Sequence, residues 1–473
     1  MESFQSLESL TFSDMLEWEE WHSPSFIDEE RLFPRLRELK MTECPKLIPP
    51  LPKVLSLHEL KLIACNEVVL GRIGVDFNSL AALEIGDYEE VRWLRLEKLD
   101  GLKRLKVCRC DGLVSLEEPA LPCNLEYLEI RECTNLEKLP NELQSLRSTT
   151  ELVIGNCPKL MNILEKGWPP MLRKLEVFNC EGIKALPGDW MMMRMDGGNN
   201  NSSCVLERVE IRSCPSFLFF PKGELPTSLN QLIIQDCENV KSLLEGIMRN
   251  CNLELLNIQG CSSLTSFPSG ELPSTLKHLV ISNFRNLELL PDHMPNLTFL
   301  YIEGCKGLKH HHLQNLTYLE HLRIGGCPSL ESYPEGGLGL GFAPNLRYVA
   351  IVNCENLKMP LSEWGLNWLS SLKVLIIAPG GYQNVISFSH DDDDCHLCFP
   401  TFLTRLNIGN FQNLESMASL PLPTLVSLQR LYIWDCLKLQ LFLPKEGLPA
   451  TLGQLQIRGC PMITTQKVLF CSL

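Results

Sequence analysis

The sequence predicts an α/β-type repeat solenoid: a horseshoe of stacked short strands with a parallel β-sheet on its concave side and a mostly irregular convex side. Three observations carry that expectation. The chain has 473 residues, more than the ~250–300 at which single hydrophobic cores stop growing. One apolar motif recurs almost from end to end, and proline follows Leu or Phe in many of the segments between its copies.

The motif is L-x-x-L-x-I-x-x-C-x-x-L. It is plain at Leu36-Leu39-Met41-Cys44-Leu47, Leu125-Leu128-Ile130-Cys133-Leu136, Leu253-Leu256-Ile258-Cys261-Leu264 and Leu452-Leu455-Ile457-Cys460-Ile463. Its first positions fall at 7, 36, 57, 80, 102, 125, 149, 172, 206, 229, 253, 276, 297, 319, 346, 372, 403, 428 and 452, which makes 19 copies about 24.7 residues apart. That spacing lies inside the ~20–29 residues of leucine-rich repeats. Position 149 is Thr in place of Leu, and the copies at 7 and 372 fit least well.

Each part of the motif has a physical task. The alternation L-x-I has period two, so its apolar side chains point inward and the residues between them outward. One such unit cannot bury its apolar face alone; stacking closes the core and pairs each strand with the next. Leu139-Pro140, Leu186-Pro187, Phe267-Pro268 and Leu290-Pro291 cover the other side. Proline there has no N–H to donate, which favours turns over full helices.

Fourteen of the 21 cysteines occupy the ninth motif position, where these repeats place Asn or Cys as a small inward residue. Met15, Tyr88, Phe284, Gly380 and Phe411 take that place in other copies, which argues against a zinc or disulfide ladder.

Composition narrows the function. A net charge of −14 and a pI near 5.3 argue against a nucleic-acid partner held through phosphates. No apolar run approaches the ~18 residues of a membrane span. The opening MESFQSLESL lacks the features of a signal peptide, so the expected location is the cytoplasm, with the nucleus as the second compartment. Residues 1–35 read as a partial first repeat at an N-terminal edge, and 36–473 as the solenoid. Loop insertions are expected near 187–204 and 380–400, where the copy spacing stretches.

Candidate chemistry is sparse. The insertion His390, Asp391–Asp394, Cys395, His396 and Cys398 holds one C-x-x-C. With no second pair, and carboxylates mixed with thiolates, it reads as a solvated acidic loop rather than a metal site. His310–His312 and the Gly336–Gly341 cluster read as surface turn and loop. The acceptor-type sequences at Asn200, Asn201, Asn296 and Asn315 are not expected to be glycosylated without a secretory signal. Phosphate-loop, zinc-protease and serine-elbow motifs are absent from the sequence. The expectation is a non-enzymatic binding protein with no cofactor.

Binding should use the outward strand positions. From copy 36 to copy 206 these are mostly charged, as at Lys40, Lys61, Glu84, Glu129, Arg131 and Glu210. From copy 297 onward they turn aromatic and aliphatic. Phe299, Tyr301, Arg323, Tyr348, Val352, Ile376, Tyr432 and Trp434 form the candidate partner-binding set, with Val374 and Arg430 among them. The alternative is that cross-strand aromatic pairs only stabilise the sheet. A basic cluster of Lys103, Arg104, Lys106 and Arg109 could dock an acidic neighbouring domain; the blander reading is a solvated face balanced by Glu117, Glu129 and Glu132.

Phe4 to Trp21, which runs F-x-S-L-E-S-L-T-F-x-D-M-L-E-W-E-E-W, and F-P-x-L-R-E-L from Phe33 to Leu39 resemble the leucine-rich-repeat region of plant intracellular immune receptors. The class is the coiled-coil-type nucleotide-binding leucine-rich-repeat disease-resistance proteins. The repeated L-x-I-x-x-C-P-x-L-x-x-[FYL]-P, as in Ile324 to Pro334, is also similar to theirs. The resemblance implies recognition of a pathogen effector or a guarded host protein, and restraint of a nucleotide-binding switch domain in cis or in trans. The coiled coil and switch motifs are not in this sequence, so nucleotide binding by the chain itself is not expected.

The runner-up reading is a substrate-recognition leucine-rich-repeat adaptor of a ubiquitin ligase. Such repeats continue after the cysteine with I-T-D-x-G-L, whereas here the continuation is P-x-L-x-x-[FYL]-P. An extracellular receptor would show L-x-G-x-I-P repeats, which this sequence lacks.

Overall fold

The computed structural model describes residues 4–463 apart from 23–31, 50, 53, 72, 74–76, 78, 95, 97, 117–120, 141–142, 164–167, 187–204, 219–224, 244–246, 248–251, 268–270, 292–293, 295, 310–315, 332–342, 358–360, 379, 381–384, 389–398 and 442–446. The chain forms two compact repeat units, Met1–Asn239 and Val240–Leu473.

The first unit contains β1 (Ser9–Ser13), β2 (Glu38–Cys44), β3 (Glu59–Cys65), β4 (Ala82–Gly86), β5 (Arg104–Cys108), β6 (Tyr127–Arg131), β7 (Glu151–Gly155), β8 (Lys174–Phe178), β9 (Arg208–Arg212) and β10 (Gln231–Gln235). The second contains β11 (Leu255–Gln259), β12 (His278–Ser282), β13 (Phe299–Glu303), β14 (His321–Gly325), β15 (Tyr348–Val352), β16 (Val374–Ala378), β17 (Arg405–Gly409), β18 (Arg430–Trp434) and β19 (Gln454–Arg458). Every strand starts two residues after a first motif position, including those at 7, 149 and 372.

Within each unit consecutive strands pair in parallel and motif position for motif position. Leu60 stands beside Leu83, and Leu83 beside Leu105. Leu279, Leu300 and Leu322 do the same in the second unit. The Leu and Ile at strand positions two and four are buried except in β1 and β19. Residues at positions one, three and five face outward.

Two features show how each strand ends. The residue before the ninth motif position adopts the left-handed conformation in the described copies, as at Asp87 (φ 59°), Asn156 (φ 54°), Asn283 (φ 59°) and Gly304 (φ 66°). That residue reverses the chain so that the next side chain turns inward. Thirteen of these 18 residues are Asn, Asp or Gly; the exceptions are Glu43, Ala64, Arg109, Glu132 and Ser213. Asn and Asp pay least among residues with a β-carbon for this conformation. The inward cysteine is then buried, as at Cys133, Cys261 and Cys354, and its thiol meets the carbonyl two residues back, at 3.4 Å for Cys133 and Arg131.

Thr149, which replaces the first motif leucine, is fully buried and donates its hydroxyl to the Leu125 carbonyl of the preceding repeat at 2.7 Å. The buried polar atom is satisfied, so the substitution costs the core little. The far wall holds little regular structure among the described residues. There is a one-turn helix α1 (Glu67–Leu70), capped by Asn66, which accepts from the Val68 N–H at 3.0 Å, and short 3₁₀ turns such as Leu143–Ser145 and Leu422–Thr424.

At the N-terminal side of the first unit, Phe12, Trp18 and Trp21 form a ring cluster with centroids 4.7–5.2 Å apart, and Trp21 meets Phe33 edge-on. The segment expected as a partial repeat thus supplies β1 and an aromatic cluster beside it. The insertion expected near 187–204 lies outside the described residues, as does the one expected near 380–400 apart from 380, 385–388, 399 and 400; His310–His312, Gly336–Gly341, Asn200, Asn201, Asn315 and Glu117 also lie outside them. No helix among the described residues is long and apolar enough to cross a membrane.

Candidate protein-interaction face

All eight residues of the candidate set sit at outward strand positions of the second unit, and all are half-buried. Phe299 and Tyr348 occupy position one of β13 and β15. Between them, on β14, lies His321, and before them, on β12, lies His278. The rings form a ladder: His278 to Phe299 at 5.8 Å, Phe299 to His321 at 5.9 Å, and His321 to Tyr348 at 6.0 Å. Parallel in-register strands bring identical motif positions side by side, so four rings spaced one repeat apart meet in turn, the first two contacts tilted and the third stacked.

One row over, Arg323 lies 5.6 Å from the Tyr301 ring centroid and donates from Nε to Glu303 at 2.9 Å. Its guanidinium is held above its ordinary value by Glu303 and Tyr301 against the opposing effect of burial. Val352 and Ile376 join Tyr348, Ala350, Val374 and Ala378 to make two adjacent strands whose outward residues are apolar except for one phenol. Beyond them Arg405 stacks over Tyr432 at 4.9 Å, and Trp434 stands opposite Gly409. Tyr432 and Trp434 are therefore separated from the other six by β17.

Sequence reasoning named the aromatic and aliphatic members of this face together with Arg323 and Arg430. It missed the two histidines of the ladder, Arg405 and Arg458. The signal was available, because His278, His321 and Arg405 hold the same motif position as Phe299 and Tyr348.

The basic cluster of the first unit has a different character. Lys103 pairs with Glu126 at 2.8 Å, Lys106 with Glu129 at 3.1 Å, and Arg109 forks onto Asp87 at 2.5 and 2.9 Å with Glu132 at 3.8 Å. Arg104 lies over the Tyr127 ring at 5.2 Å. Every cation of the cluster thus has a partner on an adjacent repeat. Two carboxylates anchor this charged face from beneath. Glu129 is 4% exposed and also meets Arg131 and the Tyr127 hydroxyl; Glu210 is 1% exposed and lies between Arg208 and Arg212. Burial alone would raise the Glu129 carboxyl, but hydrogen bonds from Tyr127 and Lys106 and the Arg131 charge bring it below its ordinary value. A shallow hollow of about 250 Å³ opens over Ala82, rimmed by Glu59, Lys61, Glu84 and Arg104.

No group of three metal-ligating side chains occurs among the described residues, and residues 389–398 are not among them. No disulfide joins the described cysteines. Burial pushes Cys65 and Cys180 up to about 11, so they remain protonated at neutral pH.

No family model matches the chain. A disease resistance RPP13-like protein 1 of Arabidopsis thaliana is 30% identical over 159 residues, which are 32% of this chain and 15% of the relative. A second disease resistance protein of Arabidopsis thaliana is 31% identical over 166 residues, covering 31% of this chain and 11% of the relative. The chain thus spans a small fraction of the length of the curated relatives it matches. Among solved structures, a leucine-rich-repeat protein of Leptospira interrogans aligns with TM-score 0.49 and 18% identity over 87% of this chain and 86% of its own. YopM of Yersinia enterocolitica aligns with TM-score 0.46 and 20% identity over 93% and 91%. In its repeat pattern and in these partial matches, the chain is similar to the leucine-rich-repeat regions of plant disease-resistance proteins.

Proposed function

We propose that the chain is the recognition module of plant innate immunity that binds a pathogen effector, or a host protein altered by one, through the outward face of its second unit. The observation that carries this reading is the contrast between the two faces. In the first unit outward cations and carboxylates neutralise one another across repeats. In the second, Phe299, Tyr301, Tyr348, Ile376, Tyr432 and Trp434 remain half-exposed at positions where folding does not require apolar side chains. Aromatic residues with arginine are the usual anchors of protein–protein hot spots, and a contiguous apolar face marks an interaction site.

In a full receptor the module has a second role in this reading, restraint of the nucleotide-binding switch in cis or in trans. The similarity to plant disease-resistance proteins supports it. The module acts by binding and not by catalysis. Its proposed location is the cytoplasm, with the nucleus as the second compartment; cysteines without a disulfide among the described repeats fit a reducing compartment.

The test is co-precipitation of the full chain with a panel of tagged pathogen effectors and host proteins, repeated with the Tyr301→Ala/Tyr348→Ala/Trp434→Ala variant. Partners that bind the wild type and are lost from the variant support the reading. Partners retained in full by the variant, or no partner at all, sink it.

A further inference from the structure

The arginines of β17–β19 stand apart from most other cations on these sheets; Arg104, held over the Tyr127 ring, is the one that resembles them among the described residues. Lys40, Lys61, Lys106, Arg131, Arg208 and Arg212 each lie within ion-pair distance of a glutamate. Arg323 has Glu303. Arg405, Arg430 and Arg458 have no carboxylate within that distance among the described residues. Arg405 bonds the Asn407 amide oxygen at 3.1 Å and stacks on Tyr432. Arg430 and Arg458 are exposed.

The register makes this arrangement costly. Arg405 and Arg430 are direct cross-strand neighbours, and like charges in that relation destabilise a sheet. No outward position of β15 to β19 carries an acidic side chain. Asp435 comes nearest in sequence but belongs to the left-handed turn after β18. Three cations thus go unneutralised on one end of a face, in a chain whose net charge is −14. The Asn407 bond and the Tyr432 stack account for Arg405, but fold stability gives no reason for Arg430 and Arg458; a complementary partner does. Immediately beside them lies the apolar floor of β15 and β16, with Val352 and Ile376, and Trp434 stands opposite Gly409.

We propose that this face takes an acidic, amphipathic protein segment. Its apolar side chains pack on Val352, Ile376 and Trp434 while its carboxylates pair with Arg405, Arg430 and Arg458. Guanidinium groups suit that task because each can bind a carboxylate through two parallel N–H donors. The inference rests on the recognition reading above and adds the chemistry of the partner.

The test is selection of a random dodecapeptide phage library on the immobilised full chain, followed by fluorescence anisotropy of the synthetic winners. The variant is Arg430→Glu/Arg458→Glu; both side chains are exposed and without ion pairs among the described residues, and the change at 430 relieves the repulsion from Arg405, so its melting temperature should match or exceed that of the wild type. The expected winners are rich in Asp and Glu and contain Trp, Phe, Leu or Ile. Their Kd should rise about tenfold or more on the double variant, and again when their carboxylates are replaced by amides. Neutral or basic winners, an empty selection, or equal Kd on the variant overturn the proposal. So does acidic-peptide binding that appears only after Asp391–Asp394 are all changed to Asn, since the arginines would then serve the chain's own carboxylates. Neutral winners that are lost from Tyr348→Ala and Trp434→Ala would overturn the charge class and leave the recognition face standing.

Discussion

The indole of Trp434 covers Gly409 on the adjacent strand so closely that a β-carbon at 409 would fall inside the ring's van der Waals surface. The same relation recurs in the first unit. The Phe178 ring occupies the space a β-carbon of Gly155 would need, and reaches to 5.0 Å from the Arg131 guanidinium one strand further on. A glycine at strand position five thus lets an aromatic ring from the next repeat lie down along the sheet.

Gly409→Ala should therefore lower stability by about 1–3 kcal/mol, the usual cost of overpacking, and shift the Trp434 fluorescence. Chemical denaturation of Gly409→Ala, Trp434→Ala and the double variant checks the cause. The alanine penalty should nearly vanish once the indole is gone, whereas a penalty that persists would place the strain in the backbone.

Ala64 holds the left-handed turn at φ 51° without the side-chain help that Asn or Asp would give. Ala64→Gly is expected to stabilise the protein by about 1 kcal/mol. Gly304→Ala, at φ 66°, should do the reverse by about 1–2 kcal/mol. Thermal melts of both variants decide it, and equal melting temperatures would remove the conformational argument.

Glu129 sets a pH dependence. Its folded carboxyl lies below its ordinary value, so the ionised form is favoured by folding. Its contribution is therefore present above the unfolded pKa and lost as pH falls through the folded one. Glu129→Gln should cost about 1–2 kcal/mol at neutral pH, discounted because Lys106 and Arg131 are 36% and 39% exposed. The gap between wild type and variant should close once pH drops below the ordinary glutamate range. A gap of constant size across the pH series would assign the loss to packing.

Thiol chemistry separates structure from reactivity. Cys123 is exposed, whereas Cys65, Cys157 and Cys180 are buried, with burial raising the last three. Brief iodoacetamide treatment at neutral pH, read by peptide mass mapping, should modify Cys123 and spare those three until denaturant is added. Native labelling of Cys157 at the rate of Cys123 would contradict the packing.

Strand positions were readable in the sequence because period-two alternation and a fixed repeat length leave one register in which all leucines face inward. Even the Thr149 copy kept its place, since a hydroxyl can bond the carbonyl of the repeat before it. The left-handed residue ahead of each cysteine was also written there, in the recurrence of Asn, Asp and Gly, but attention to apolar positions passed over it. On the candidate face, size and apolarity picked out Phe299, Tyr348 and Trp434. They could not pick out His321, whose role comes from the rings on either side. Nor could they show that Lys103 and Arg109 are neutralised, because the partners Glu126 and Asp87 come from neighbouring repeats and a linear charge count does not align them.

The fixed register has a consequence for how such a chain can change. Each strand places its second and fourth residues in the core and its first, third and fifth outside, in step with the strands on either side. Exchange of one whole repeat between two related genes would carry a new triplet of outward residues on an unchanged inward scaffold. New specificities could then arise by recombination in blocks, without passing through unstable intermediates.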